Sequence, residues 1–203
     1  MKQNEKTTLI IPAAGKSSRF PNMKPKWMLT HPCGKMMINS CLDGFDLSET
    51  KEIVIGVLKE HLEKHEMKEG LVNSFEEYEI PVSIVILEKE TKSQPETVYQ
   101  IIKDKKISGP IFIKDADNQF KHKPASGNYV TVADINKANA VSKPANKSYV
   151  AYDENFILNN IVEKKIISQF YCTGGYSFDS ALRFTKAFEL LENKDLYVSH
   201  VIY

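Results

Sequence analysis

Thr7-Thr8-Leu9-Ile10-Ile11-Pro12-Ala13-Ala14-Gly15-Lys16-Ser17-Ser18-Arg19-Phe20, with Pro25-Lys26 a few residues on, is the stretch whose reading decides the fold. It opens as a short apolar run, the pattern of a buried strand. A loop of small residues follows, holding Gly15, two serines and two cations. Gly15 can take φ > 0 and lets the backbone approach a ligand closely. Successive N–H groups in such a loop form an anion-binding concavity, to which Lys16 and Arg19 add positive charge. Lys26 adds a third cation after a stiff proline. The pattern suits a triphosphate cradle, although a strand and a glycine turn are also ordinary α/β structure.

Bulk properties narrow the classes. A chain of 203 residues suits one domain with a sizeable core, or one domain with a small appendage. With 27 basic and 26 acidic residues the formal net charge is +1. That gives no field to favour nucleic acid or a membrane surface, so anion binding has to be local. No apolar run approaches the ~20 residues that span a bilayer. The stretch 9–14 is too short for a signal-peptide core. Cys33, Cys41 and Cys172 are odd in number and widely spaced, with no zinc pattern. Reduced thiols and a cytoplasmic protein are expected.

Working outward, residues 36–45 predict a short helix with Met37, Cys41 and Phe45 on its inner face. Ile53-Val54-Ile55-Gly56-Val57-Leu58 predicts a second buried strand. Residues 59–75 predict a charged helix, weakened by Gly70. His61 and His65 lie one turn apart on it, and Glu60, Glu63 and Glu66 around them suggest a solvated face. Val82-Ser83-Ile84-Val85-Ile86-Leu87 is a third strand. Ser93-Gln94-Pro95-Glu96 is a capping box with proline in the first turn. The free N–H groups of such a helix start can also face a ligand. Ile111-Phe112-Ile113 is a fourth strand, running into Lys114-Asp115-Ala116-Asp117-Asn118.

Alternating strands and helices with short connections predict an α/β fold. Its centre is a Rossmann-like, mostly parallel sheet with helices on both faces. Ligands of such sheets bind outside the carboxyl ends of the strands, where both the opening loop and Asp115–Asp117 fall. Residues 121–128 read as a loop, 129–133 as a strand and 137–147 as irregular. Residues 149–152 and 156–164 flank a β-hairpin turn, and 170–178 form another strand. Asp179 is placed to cap the next helix, with Leu182, Phe188 and Leu191 toward the core. Residues 197–203 read as the first turns of a further helix, leaving open a natural chain that runs on.

Two carboxylates two residues apart at the end of a buried strand are unfavourable unless something neutralises them. Mg²⁺ takes oxygen ligands and is commonly held by one or two carboxylates plus substrate phosphates. Asp117 is the first candidate ligand. Asp115 is either a second one or faces away, since alternate residues share a face only in a regular strand.

The head stretch 13–20 with Pro25-Lys26 resembles the signature of the sugar-phosphate nucleotidyltransferase (pyrophosphorylase) superfamily. Asp117-Asn118 is similar to that family's metal motif, Val162-Glu163-Lys164 to its sugar-contacting motif, and Thr173-Gly174-Gly175-Tyr176-Ser177-Phe178 to its glycine-tyrosine strand. The matches occur in the family's order along nearly the whole chain. The resemblance implies a GT-A-like nucleotidyltransferase fold in one domain, with residues 1–118 as nucleotide-binding half and 119–203, including the hairpin, as acceptor-binding half. It implies attack of a small phosphorylated acceptor on the α-phosphate of a nucleoside triphosphate, with Mg²⁺ as cofactor.

By the same resemblance Ala13, Ala14, Gly15, Lys16, Ser17 and Ser18 form the nucleotide loop. Arg19 and Lys26 are catalytic, Arg19 and Lys16 on the leaving phosphates and Lys26 on the α-phosphate. Ser93 and Gln94 lie by the base, Glu163, Lys164 and Gly175 by the acceptor, and Asp117 with Asp115 by the metal. Ser17 replaces the family's usual second glycine, and His200 falls where a second metal-binding Asp is usual, although imidazole is a poor Mg²⁺ ligand. Glu163 and Lys164 are adjacent, so both reach one substrate only if the strand ends or bulges there. Surface polysaccharide synthesis is the expected setting, and a homo-oligomer is left open. Three alternatives stand beside this reading: a cytidylyltransferase of polyol or choline phosphates, a nucleotide-sugar glycosyltransferase using Asp115-Ala116-Asp117, and a silent nucleotide-binding relative.

Overall fold

The structure is a computed structural model that describes residues 5–15, 23–137, 144–192 and 197–202. Four strands make its parallel part: β1 (Thr7–Pro12), β2 (Thr50–Leu58), β3 (Val82–Leu87) and β4 (Ile111–Lys114). They lie in the order β3-β2-β1-β4, each pairing parallel to its neighbour. β5 (Tyr129–Asp134), β6 (Ser148–Tyr152), β7 (Leu158–Glu163) and β8 (Phe170–Phe178) add an antiparallel part. The expected mostly parallel sheet with a hairpin, here β6–β7, is present.

β8 joins the two parts. Phe112 pairs with Ser177 from one edge, and Tyr129 pairs with that same Ser177 from the other. Further along, Tyr149 of β6 pairs with Tyr171, which also pairs with Ala133 of β5. β4 and β6 therefore lie end to end along one edge of β8. Between them, residues 172–174 carry no strand on that edge among the described residues.

Strand periodicity sorts the core onto two faces. Ile10, Val54 and Ile113 point to one face, under α4 (Gln94–Lys105), α5 (Ala181–Leu190) and α6 (Val198–Ile202). Leu9, Ile11, Ile53 and Phe112 point to the other, under α1 (Met37–Ser40), α2 (Lys59–Lys64) and α3 (Lys68–Asn73). Helices thus cover both faces, as the sequence pattern predicted.

Several local expectations fail for physical reasons. The predicted helix 36–45 is helical only over Met37–Ser40 and continues as turns up to Gly44, at φ +91°. The predicted helix 59–75 splits into α2 and α3 at Glu66, whose φ of +52° is left-handed. His61 is buried rather than solvated, next to Leu62, which packs into the core on that face of the sheet. Ser180, not Asp179, caps α5, accepting from Arg183 N at 3.2 Å, while Asp179 binds the Arg183 side chain. Of the residues expected toward the core, Phe188 is buried and Leu191 packs against the core, but Leu182 is 60% exposed, and Ala181, Phe184 and Thr185 are buried as well. Part of the expected irregular stretch, 138–143, lies outside the described residues. All three cysteines are free thiols, Cys33 exposed and the others buried. Among the described residues no helix is long and apolar enough to cross a membrane.

Candidate active site

A cleft of about 780 Å³ opens at the carboxyl ends of β1 and β4. Pro12 to Gly15 form one rim as the chain leaves β1, and Ser93 and Gln94 enter from the start of α4. The turn 115–118 follows β4, and Glu163 and Tyr197 stand on the far wall. Cys172 and Gly174, in the gap of β8 between β4 and β6, contribute to the same lining. Among the described residues the cleft thus borders a stretch of β8 that lacks a strand partner on one edge.

Lys26 starts a single 3-10 turn, Lys26–Met28, after Pro25. Trp27 and Met28 are buried, which anchors the turn and leaves the Lys26 side chain at the cleft. Its ammonium meets Asp117 Oδ2 at 2.6 Å. Both groups are partly exposed, so this pair adds little stability, about 0–1 kcal/mol. Its significance is positional: it joins the head segment to the turn after β4.

Asp115 lies deeper. Its N–H donates to Gly174 O at 2.9 Å, extending the β4–β8 pairing by one rung. Gln94 Nε2 donates to Asp115 Oδ1 at 2.7 Å. Burial pushes the Asp115 carboxyl up to about 6, with the Gln94 hydrogen bond opposing and Asp117 reinforcing. Gly174, at φ +84°, faces this carboxylate so closely that a Cβ would collide with it. Ser93 caps α4, accepting from Glu96 N at 3.4 Å, and Glu96 accepts from Lys92 N at 2.5 Å.

On the far wall, Ser148 Oγ donates to Glu163 Oε1 at 2.5 Å, and Ser199 Oγ bonds the same oxygen. β7 ends at Glu163, and Lys164 is left-handed at φ +54°. The two side chains are thus released from strict alternation, and the Lys164 ammonium lies 5.0 Å from the Tyr197 ring centroid.

The cleft brings together Ala13, Ala14, Gly15, Lys26, Ser93, Gln94, Asp115, Asp117 and Glu163 of the residues singled out in the sequence. It does not bring in Gly175, which is buried where a Cβ would press on Thr131 Oγ1 at 2.5 Å and Phe112 Cζ at 2.7 Å. His200 also lies apart, its Nδ1 accepting from Tyr197 N at 3.4 Å. Lys16, Ser17, Ser18 and Arg19 lie outside the described residues.

Lys114 is the residue that sequence reading missed. It is 0% exposed, yet its ammonium donates to Asp115 O at 2.7 Å, to Asn118 O at 2.8 Å and to Asn118 Oδ1. It sits 4.7 Å from the Phe120 ring centroid. Burial lowers its pKa, while Cys41, Asp115 and Asp117 act the other way. The available signal was a lysine ending an otherwise apolar strand, on the same face as Phe112.

Among the described residues no three His, Cys, Asp or Glu side chains cluster as a protein-made metal cage. The donor set instead fits Mg²⁺ held by one or two carboxylates and completed by phosphates and water. Asp117 is the accessible carboxylate, and Asp115 is the one held by Gln94.

Solved structures share this architecture. A nucleoside-diphosphate-sugar pyrophosphorylase from Vibrio cholerae RC9 superposes with a TM-score of 0.72 at 20% identity, over 95% of this chain and 85% of that one. The fold is that of a nucleotidyltransferase. An inositol-1-phosphate CTP transferase from T. maritima superposes at 0.71 with 16% identity, over 98% and 81% of the two chains. A UDP-glucose pyrophosphorylase complexed with UDP-glucose gives 0.70 at 14% identity, over 97% and 85%. No family model and no curated protein matches this nucleotidyltransferase-fold chain by sequence.

Proposed function

We propose that the chain is a Mg²⁺-dependent nucleotidyltransferase. It moves a nucleotidyl group from a nucleoside triphosphate to a sugar 1-phosphate or similar small phosphate and releases pyrophosphate, in the service of surface polysaccharide synthesis. The observation that carries the reading is the convergence of Lys26 and Asp117 at 2.6 Å at the mouth of a cleft whose opposite wall holds Glu163. Lining from both sides of residue 118 supports a nucleotide half, 1–118, and an acceptor half, 119–203. A neighbour named as an inositol-1-phosphate CTP transferase supports keeping polyol phosphates in the acceptor class.

In this reaction an acceptor phosphate oxygen attacks the α-phosphorus, the bond to the bridging oxygen breaks, and pyrophosphate leaves with that electron pair. The protein's task is positioning and charge stabilisation rather than covalent chemistry. The backbone of 13–15 receives the triphosphate, aided by Lys16 and Arg19 as the sequence resemblance implies. Lys26 is directed at the α-phosphate, where negative charge grows. Glu163, held by two serine hydroxyls, accepts hydrogen bonds from acceptor hydroxyls. Asp117, with Asp115 as second carboxylate, would hold Mg²⁺, which when bound neutralises phosphate charge.

The test crosses the common nucleoside triphosphates with sugar and polyol phosphates and reads pyrophosphate. Release requiring both partners and Mg²⁺ is the expected result. No release from any pair, with nucleoside diphosphate released from nucleotide sugars instead, would make the chain a glycosyltransferase.

A further inference from the structure

We propose that Lys114 is a positioning residue that fixes the turn 115–118, and through it the carboxylates of Asp115 and Asp117, for a metal-bound polyphosphate. The inference rests on the nucleotidyl-transfer reading of the cleft and adds a component that touches neither substrate nor metal.

The geometry is unusual for a strand lysine. A lysine ammonium has three N–H donors. Those of Lys114 go to Asp115 O, Asn118 O and Asn118 Oδ1, the two ends of one four-residue turn. The stem and ammonium lie among Phe45 and Phe120, with ring centroids 5.8 Å and 4.7 Å away. Such a group cannot swing to solvent without opening this aromatic cluster.

Asn118 completes the clamp from the other side. Its Oδ1 accepts from Lys114, and its Nδ2 donates to Thr173 O at 2.6 Å, in the gap between β4 and β6 on that edge of β8. Asp115 N donates to the next carbonyl, Gly174 O. The turn is thus fixed to β8 at both ends and to one buried cation at both ends. Asp117 lies between these fixed points, exposed toward Lys26. Among the described residues its carboxylate meets Lys26 at the cleft mouth and no core group, so the turn and Lys26 together set its place.

A buried charge is weak support for stability, since apolar replacements of similar volume are often neutral or stabilising. Groups that orient ligating residues, by contrast, commonly change metal affinity or activity by about 10–100-fold. The two roles separate experimentally. Lys114→Met keeps the stem among the aromatic rings and removes the three donors.

The probe is Mn²⁺ with inorganic tripolyphosphate, its binding read from water-proton relaxation, alongside thermal unfolding of the same samples. The expected result is a Kd raised about 10–100-fold in Lys114→Met with an unfolding midpoint near that of the unsubstituted chain. A lowered midpoint with unchanged Kd would make Lys114 merely structural and overturn the proposal. Asn118→Ala, which removes the side-chain acceptor and leaves the lysine, decides the matter if Lys114→Met does not fold: a raised Kd supports the clamp and an unchanged Kd refutes it. If the unsubstituted chain does not bind the probe, the nucleotidyl-transfer reading falls and the inference with it. If it binds and the variants bind equally, only the inference falls.

Discussion

At the scale of single residues, Lys26 and Asp117 form one unit in which each holds the other at the cleft. In the proposed reaction, replacing Lys26 by Ala removes a cation aimed at developing charge, and loss of one such group lowers turnover by about 10²–10³-fold. Folding stability should change by less than about 1 kcal/mol, because the pair is partly exposed. Turnover within a few-fold of normal, measured with the substrates found in the pyrophosphate screen, would remove Lys26 from the chemistry. Buried and half-buried histidines supply a second prediction. Burial holds His61 and His122 below the ordinary imidazole range; at His61, Glu60 and Glu90 oppose this while His65 and Lys64 assist it. The unfolded chain therefore binds protons more readily than the folded one, so stability rises with pH up to about 6.5 and falls as pH drops below it. His61→Leu should lose less stability than the unsubstituted chain between about pH 7.5 and about pH 5.5 in urea unfolding. Equal losses would show that His61 does not titrate on unfolding.

At the scale of elements, the close approach of β2 to α4 depends on Gly56. A Cβ there would lie 2.9 Å from Ile101 Cγ1, and Ile101 is fully buried. Gly56→Ala should therefore destabilise by about 1–3 kcal/mol through overpacking, read as a lower urea midpoint. An unchanged midpoint would mean that α4 can shift away freely. Local pattern made β3, β8 and the start of α4 legible: apolar runs bounded by polar residues gave the strands, and Ser93 with Glu96 gave the cap. Patterns carried by a single residue misled. Ser180 and Asp179 are both good caps in adjacent positions, and Ser180 takes the role; Leu182, expected inward, is 60% exposed while Phe188 lies inward as expected. The gathering of side chains was legible where chemistry and position coincide: Asp115, Asp117 and Lys26, expected together at the strand ends, line one cleft. The contacts of Lys114 were not, because they depend on Asn118 and Phe120 turning back toward it, and no sequence spacing announces that.

For the molecule as a whole, the cleft unites two kinds of pairing. Its rim at 12–15 and 115–118 belongs to parallel strands, and Glu163 belongs to an antiparallel hairpin that meets β8 beyond the gap. A ligand filling both ends must stabilise the two halves against each other. A nucleoside triphosphate with Mg²⁺ at about 100 times its Kd should raise the unfolding free energy by about 2.7 kcal/mol. In a chain of this size each kcal/mol moves the midpoint by about 2–4 °C. If the proposed acceptor half is right, an acceptor phosphate added on top should raise the midpoint further by occupying the Glu163 end. Glu163→Gln weakens a carboxylate shared by Ser148 and Ser199, so its own midpoint is the baseline. From that baseline the triphosphate shift should persist and the acceptor shift should shrink or vanish. If Glu163→Gln instead abolished the triphosphate shift and kept the acceptor shift, the assignment of the two ends of the cleft would have to be reversed.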